Sequence, residues 1–134
     1  MIWVIAGTQD GRELAAKVTQ EVGANQVVIT VVSSYGKLLS EQAGADVVVG
    51  RLTQSDMERM IADKKIRLVV DASHPYAAIV SETARAACRA AGVQYVRYER
   101  PETPLPAYEK LHHVPDESSA AALAGELGYR IYLT

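Results

Sequence analysis

What most constrains this chain is an alternation of two kinds of segment. Short stretches rich in Val, Ile, Leu or Tyr, at 2–6, 27–32, 46–49, 68–71, 94–98 and 130–133, are separated by stretches of helical period. The most apolar of the short stretches are near-continuous runs, as in strands covered on both faces. Between them, Leu14, Val18 and Val22 recur at four-residue spacing, and Val80, Ala84, Ala87, Cys88 and Ala91 form a second apolar stripe. Ser55 and Glu58 have capping-box spacing ahead of a helix expected to bury Met57, Met60 and Ile61. A last helix is expected over 118–127, stopped by Gly128. Strands and helices that alternate through short connections give right-handed crossovers, and hence a doubly wound, mostly parallel α/β sheet in three αβα layers. At 134 residues the chain is read as a single domain, 1–134.

Composition narrows the partners. Fourteen basic against sixteen acidic side chains give a net charge of −2, which argues against a broad nucleic-acid footprint or a polybasic membrane surface. Cys88 stands alone, so one copy of the chain has no disulfide and no cysteine-rich zinc site. The N-terminus lacks the basic stretch and longer apolar run of a signal peptide, and no apolar run approaches the ~20 residues that span a bilayer. A soluble cytoplasmic protein with small-molecule partners is expected. The chain stops on the strand read at 130–133, which suggests a fragment.

In such a sheet each strand delivers its following loop to one carboxyl edge, where ligands bind. The first loop runs Gly7-Thr-Gln-Asp-Gly-Arg12. Gly7 lets backbone amides approach a ligand, and the helix N-terminus behind it favours an anion such as a pyrophosphate. With Gly7 and Gly11 four apart, the dinucleotide fingerprint is incomplete, and a glycine turn before a helix also occurs without any nucleotide. No Gly-Lys-Ser/Thr occurs, which excludes a P-loop. After the second strand, Ser33-Ser-Tyr-Gly36 lacks the acid that bonds the ribose 2′-OH of NAD, and Ser33, Ser34 and Lys37 are suited to a 2′-phosphate. The same residues also suit an ordinary polar turn, with Ser34 capping a helix through Leu38 and Leu39.

Gly50-Arg51 places a fixed positive charge after the third strand, fit for a phosphate or a carboxylate, although an isolated Arg after a strand is more often just solvated. His74-Pro75 is the most distinctive element. His74 is a candidate proton donor or ligand near neutral pH, with helix capping as the equal alternative. Asp71, inside its strand, is read as an organiser of neighbouring loops. His112 and His113, beside Tyr108, have no third ligand nearby and are read as surface residues, so no metal is expected. Cys88 falls on an apolar stripe and is read as a core thiol. The stretch 100–117, broken by Pro101, Pro104, Pro106 and Pro115, reads equally as a lid or as a rigid linker.

Taken in order, these loops resemble the N-terminal half of the precorrin-6A reductases of cobalamin (vitamin B12) biosynthesis. The matching segments are Ala6-Gly-Thr-Gln-Asp-Gly-Arg-Glu-Leu-Ala15, Ser34-Tyr-Gly36, Gly50-Arg-Leu52, Val70-Asp-Ala-Ser-His-Pro-Tyr-Ala77, Ser81-x-x-Ala84, Tyr98-Glu-Arg-Pro101 and Tyr132-Leu-Thr134. Two positions depart: the family usually has a second glycine where Ala6 stands and commonly Phe where Tyr76 stands.

The resemblance implies an oxidoreductase that uses NADPH to reduce one double bond of a tetrapyrrole, precorrin-6A or its cobalt form, built from two Rossmann-like halves around a shared cleft. It implies that Gly7, Thr8, Gln9, Asp10, Gly11 and Arg12 hold cofactor phosphate and that Ser33, Ser34 and Tyr35 lie by the adenosine. Gly50, Arg51, Ser73, His74 and Tyr76 would line the shared cleft; the catalytic role proposed for His74, as an assisting proton donor, is read from the residue itself and not from the family. The missing partner would be a C-terminal domain of the same polypeptide, and the fragment alone is expected to be inactive. A non-catalytic nucleotide-binding or regulatory domain of flavodoxin-like shape is the main alternative. A short-chain dehydrogenase is disfavoured, since Leu39 and Val80 stand where a Tyr-x-x-x-Lys pair would need lysine after Tyr35 and Tyr76.

Overall fold

The structure is a computed structural model that describes residues 1–33, 36, 38, 44–99, 104, 107–128 and 130–132. It divides into two compact units, Met1–Pro101 and Glu102–Thr134. The first holds strands β1 (Ile2–Ile5), β2 (Val27–Val31), β3 (Asp46–Val49), β4 (Leu68–Asp71) and β5 (Gln94–Arg97) and helices α1 (Gln9–Val22), α2 (Gln54–Asp63) and α3 (Ala78–Ala91). The five strands form one sheet in the order β3-β2-β1-β4-β5. Every neighbouring pair is parallel.

Register sorts the side chains into two layers. Trp3 lies beside Val28 and Val69, so these three share a face. That face packs on Met57 and Ile61 of α2 and on Ala84, Ala87 and Cys88 of α3. Val4, Val27, Ile29 and Val31 meet Ala15 of α1 on the other face. Helices on both faces of a parallel sheet make the expected αβα sandwich. β1 and β2 are buried throughout or nearly so and β4 at alternate residues, whereas β3 and β5 are only partly covered, because an edge strand has one neighbour. Trp3 is fully buried, and its indole N–H donates to Thr30 Oγ1 at 2.9 Å, which satisfies its one polar atom inside the core.

Several local expectations shift. The seam of α1 is Gly11, Ala15 and Thr19 rather than Leu14, Val18 and Val22, and Val22 is exposed. Small residues win there because α1 crosses close to the chain: a Cβ on Gly11 would stand 2.8 Å from the Ala72 carbonyl oxygen and 3.1 Å from Ala6 Cα. The capping box of α2 is Thr53 with Asp56, not Ser55 with Glu58. Thr53 Oγ1 accepts from the Asp56 amide at 3.2 Å, and Asp56 Oδ2 accepts from the Thr53 amide at 3.1 Å. Met57 and Ile61 are buried as expected, with Met60 at the margin of the same cluster. In α3 the buried line runs through Ser81, Ala84, Ala87 and Cys88, while Ala91 is exposed.

In the second unit, α4 (Glu117–Leu127) begins at the Asp116 cap, whose carboxylate accepts from the Ser119 amide at 2.7 Å, and ends at Gly128. The strand read over 130–133 does not form at Arg130, Ile131 or Tyr132, all exposed. Tyr and Ile favour a half-buried pleated surface, and strand propensity yields no strand where none covers them. Leu133 and Thr134 lie outside the described residues. Among the described residues no helix is long and apolar enough to cross a membrane.

Candidate functional site

The strand order reverses between β1 and β4: the chain leaves β1 toward β2 and leaves β4 toward β5. The loops after these two strands therefore part, and a crevice opens between them at the carboxyl edge. Two clefts occupy it. The larger, about 450 Å³, is lined by Gly7 after β1, Gly50 and Arg51 after β3, and Ser73, His74 and Tyr76 after β4, over an apolar wall that includes Ile5, Val32, Leu52 and Ile79. The smaller, about 180 Å³, lies between Thr8, Gln9 and Asp10 on one side and Ser73, His74 and Pro75 on the other, with Tyr98 and Glu99 at its edge. Ser73 and His74 face both.

The residues of the first loop divide by task. A side chain on Gly7 would project into open space. Thr8 is the N-cap of α1, its hydroxyl accepting from the Gly11 amide at 3.0 Å, while Gln9 reaches Glu13 at 2.9 Å. Gly11 is inside the α1 packing contact, and Arg12 lines neither cleft. At Ser33 the hydroxyl accepts from the Gly36 amide at 3.1 Å, closing the turn after β2. Ser34, Tyr35, Lys37 and Leu39 lie outside the described residues, as do Arg100, Pro101 and Pro106. Gly50 takes φ +137°, a conformation side chains resist, so that β3 turns sharply and leaves Arg51 exposed on the cleft.

The loop after β4 is braced from within. Asp71, the last residue of β4, is fully buried. Its Oδ1 accepts from the Ser73 amide at 3.0 Å and pairs with Arg97 Nη1 at 2.8 Å. Its Oδ2 accepts from the Ser81 and Tyr95 hydroxyls, each at 2.6 Å. Arg97 Nη1 also donates to Ser73 Oγ at 2.8 Å, and its Nε donates to Glu99 at 3.0 Å. Burial pulls the Asp71 carboxyl upward, but the hydrogen bonds from Ser81, Tyr95 and Ser73 outweigh it and hold the group below the ordinary range. Burial, the bond to Asp71 and its charge push the Tyr95 hydroxyl up to about 12. Asp71 was legible as a loop organiser. Tyr95, Arg97 and the bracing role of Ser81 were not, although Arg97 sits directly opposite Asp71 in register and shares a strand face with Tyr95.

His74 is exposed, and its Nδ1 accepts from the Tyr76 amide at 3.1 Å. The neutral ring then carries its proton on Nε2, which remains its donor. Tyr76 stacks against it at a tilt, with ring centroids 5.0 Å apart, and is 92% exposed. His112 and His113 are exposed, and no metal-holding group of His, Cys, Asp or Glu exists among the described residues. Cys88 is buried in the core, as its stripe implied.

Five parallel strands in this order, helices on both faces and a cleft where the order reverses define a Rossmann-like αβα domain. A flavodoxin-like sheet has its third strand next to its first, whereas here β4 takes that place, so the flavodoxin-like shape of the alternative reading is not the one observed. The chain belongs to the family described as precorrin-6x reductase CbiJ/CobK, whose profile matches residues 1–134. It is 35% identical to a cobalt-precorrin-6A reductase of Priestia megaterium over 100% of this chain and 51% of that protein. It is 34% identical to the one of Salmonella typhimurium over 99% of this chain and 50% of that protein. Thus the chain spans about half the length of these curated relatives. The solved structure of a CobK precorrin-6A reductase superposes with TM-score 0.72 at 27% identity, over 90% of this chain and 46% of that one.

Proposed function

We propose that this chain is one half of a cytoplasmic reductase that uses NADPH to reduce a double bond of precorrin-6A, or of its cobalt form, to the dihydro state in cobalamin biosynthesis. Family membership supports the reaction class. The observation that carries the site is the convergence of Gly7, Arg51, Ser73, His74 and Tyr76, from loops far apart in sequence, on the cleft between β1 and β4. Opposite that cleft, the half of the relatives that this chain does not span would supply the second wall and enclose the macrocycle.

The cleft fits a nicotinamide dinucleotide. The space beside Gly7 is open to a pyrophosphate at the start of α1, and the described residues after β2, Val32 and Ser33, carry no acid that would repel a 2′-phosphate. Ser34 and Tyr35 belong to the same proposed adenosine side. Of the other residues expected to hold phosphate, Thr8, Gln9 and Asp10 face the smaller cleft, Gly11 sets how closely α1 approaches, and Arg12 follows it on the helix. When bound, the nicotinamide supplies the hydride.

This chain's residues bind and orient. Arg51 offers a fixed cation to a substrate carboxylate or a cofactor phosphate. The apolar side chains of Ile5, Val32, Leu52 and Ile79 offer a nonpolar surface beside it for a flat ring to rest on. His74, its Nδ1 occupied, presents Nε2–H as a hydrogen-bond or proton donor to whatever enters the cleft. In a complete enzyme His74→Ala lowers turnover or alters its pH profile; an unchanged profile and rate would remove that role.

Titration of the purified chain with NADPH, NADH and FMN tests the cofactor. Weak binding that favours NADPH over NADH is expected, with no reduction of the macrocycle by the chain alone. Tight FMN binding would overturn the assignment.

A further inference from the structure

We propose that Arg97 is a positioning residue that, by bridging Asp71 and Ser73, holds the loop 73–76 and its His74 against the cleft. The proposal rests on the reductase assignment only for what His74 does; the bracing itself stands on the geometry.

The oxygens of Asp71 accept two bonds each, from the Ser73 amide and Arg97 on one side and from the Ser81 and Tyr95 hydroxyls on the other. That fills the capacity of a carboxylate. Ser73 is held at two points: its amide by Asp71 and its hydroxyl by Arg97 Nη1 at 2.8 Å. Glu99 binds the guanidinium on its Nε edge, so the fork cannot swing away from Ser73 without breaking a second charged contact. One residue further on, His74 accepts at Nδ1 from the Tyr76 amide, and its carbonyl accepts from the Ala77 amide at 2.9 Å. The chain of contacts thus runs without a gap from β5 to the imidazole.

Joining β4 to β5 does not require this. An apolar pair would close the sheet end at least as well, since taking two charges out of water offsets much of their attraction. The network lies at the strand end that feeds the cleft, and its geometry suits a guanidinium: Arg97 meets Glu99 through Nε and Asp71 and Ser73 through Nη1, whereas a lysine would have to serve all three from one flexible nitrogen.

The test is amide hydrogen exchange and imidazole ¹⁵N NMR on the labelled 134-residue chain, without nucleotide, in the wild type, Arg97→Lys, Arg97→Met and Tyr95→Phe. Both Arg97 variants are expected to speed exchange at Ser73, Tyr76 and Ala77 by about tenfold or more relative to Trp3 and Val4 in β1, since one charge-assisted hydrogen bond is lost. The His74 ring signals should move from the single Nε2–H form toward the tautomer average. Tyr95→Phe removes a bond to Asp71 but none to Ser73, and should leave the loop as it is. Wild-type exchange at Ser73 and unchanged His74 signals in Arg97→Lys would overturn the proposal, as would equal acceleration of every amide. If Arg97→Met does not fold, Arg97→Lys decides. Because no cofactor is added, failure here is separate from failure to bind NADPH.

Discussion

Arg97 Nη1 lies 2.8 Å from Asp71 Oδ1 and ties the end of β5 to the end of β4 beneath the cleft. Removing Asp71 leaves the Ser73 amide and the Ser81 and Tyr95 hydroxyls without their acceptor and leaves Arg97 with Glu99 as its one remaining charge partner. Asp71→Ala should therefore destabilise the fold by about 3–5 kcal/mol, measured by urea unfolding at neutral pH.

The same carboxylate gives the fold an acid limb. Asp71 titrates lower in the folded chain than its ordinary 3.8, so the unfolded chain binds the proton more readily. Its contribution is complete above about pH 4 and is lost as pH falls through the lower folded value. Stability measured from pH 6 down to pH 2 should drop in that window, and Asp71→Asn should lessen the drop. An equal drop in the variant would assign the acid limb to other groups.

Gly7, before α1, and Gly11, inside its first turn, should fail differently. Gly11→Ala drives a methyl against the Ala72 carbonyl at 2.8 Å, and a cost of about 1–3 kcal/mol is expected. Gly7→Ala meets nothing within 4 Å, so stability should hold while nucleotide affinity falls. Thermal unfolding and NADPH titration of the two variants separate the packing glycine from the ligand-facing one.

Trp3 is the one tryptophan, fully buried, so its fluorescence reports the core. Thr30→Val removes the acceptor of its indole N–H and strands a buried donor, at about 1–3 kcal/mol. Urea unfolding followed by the red shift of emission should show that loss. No loss would mean that the donor finds another partner.

Cys88 should be inert in the folded state. Burial, and then the charge of Asp71, pushes its thiol up to about 11. At pH 8 a thiol reagent should label it only when denaturant is added; prompt labelling without denaturant would contradict its place in the core.

The layers of the fold were readable because burial on two faces writes itself into continuous apolar runs such as Val27–Val31. Close approach is harder to read: the seam of α1 passes through Gly11, Ala15 and Thr19, whose small size matters only once the distance to Ala6 and Ala72 is known. The cleft loops were legible as strand followed by glycine or small hydroxyl. The Asp71 network was not, because its members stand up to 26 residues apart and meet only through the β4–β5 register and the turn into α3. The strand expected at 130–133 shows the reverse case, a β-prone sequence at Ile131 and Tyr132 with no ladder.

The crevice between β1 and β4 is the proposed nucleotide site. Titration of ¹⁵N-labelled chain with NADPH, followed residue by residue, tests it most directly. Amide shifts are expected to concentrate at Gly7, Thr8, Ser33, Arg51, Ser73 and His74 and to be smaller with NADH. Shifts centred elsewhere on the chain, or none at millimolar NADPH, would contradict that assignment.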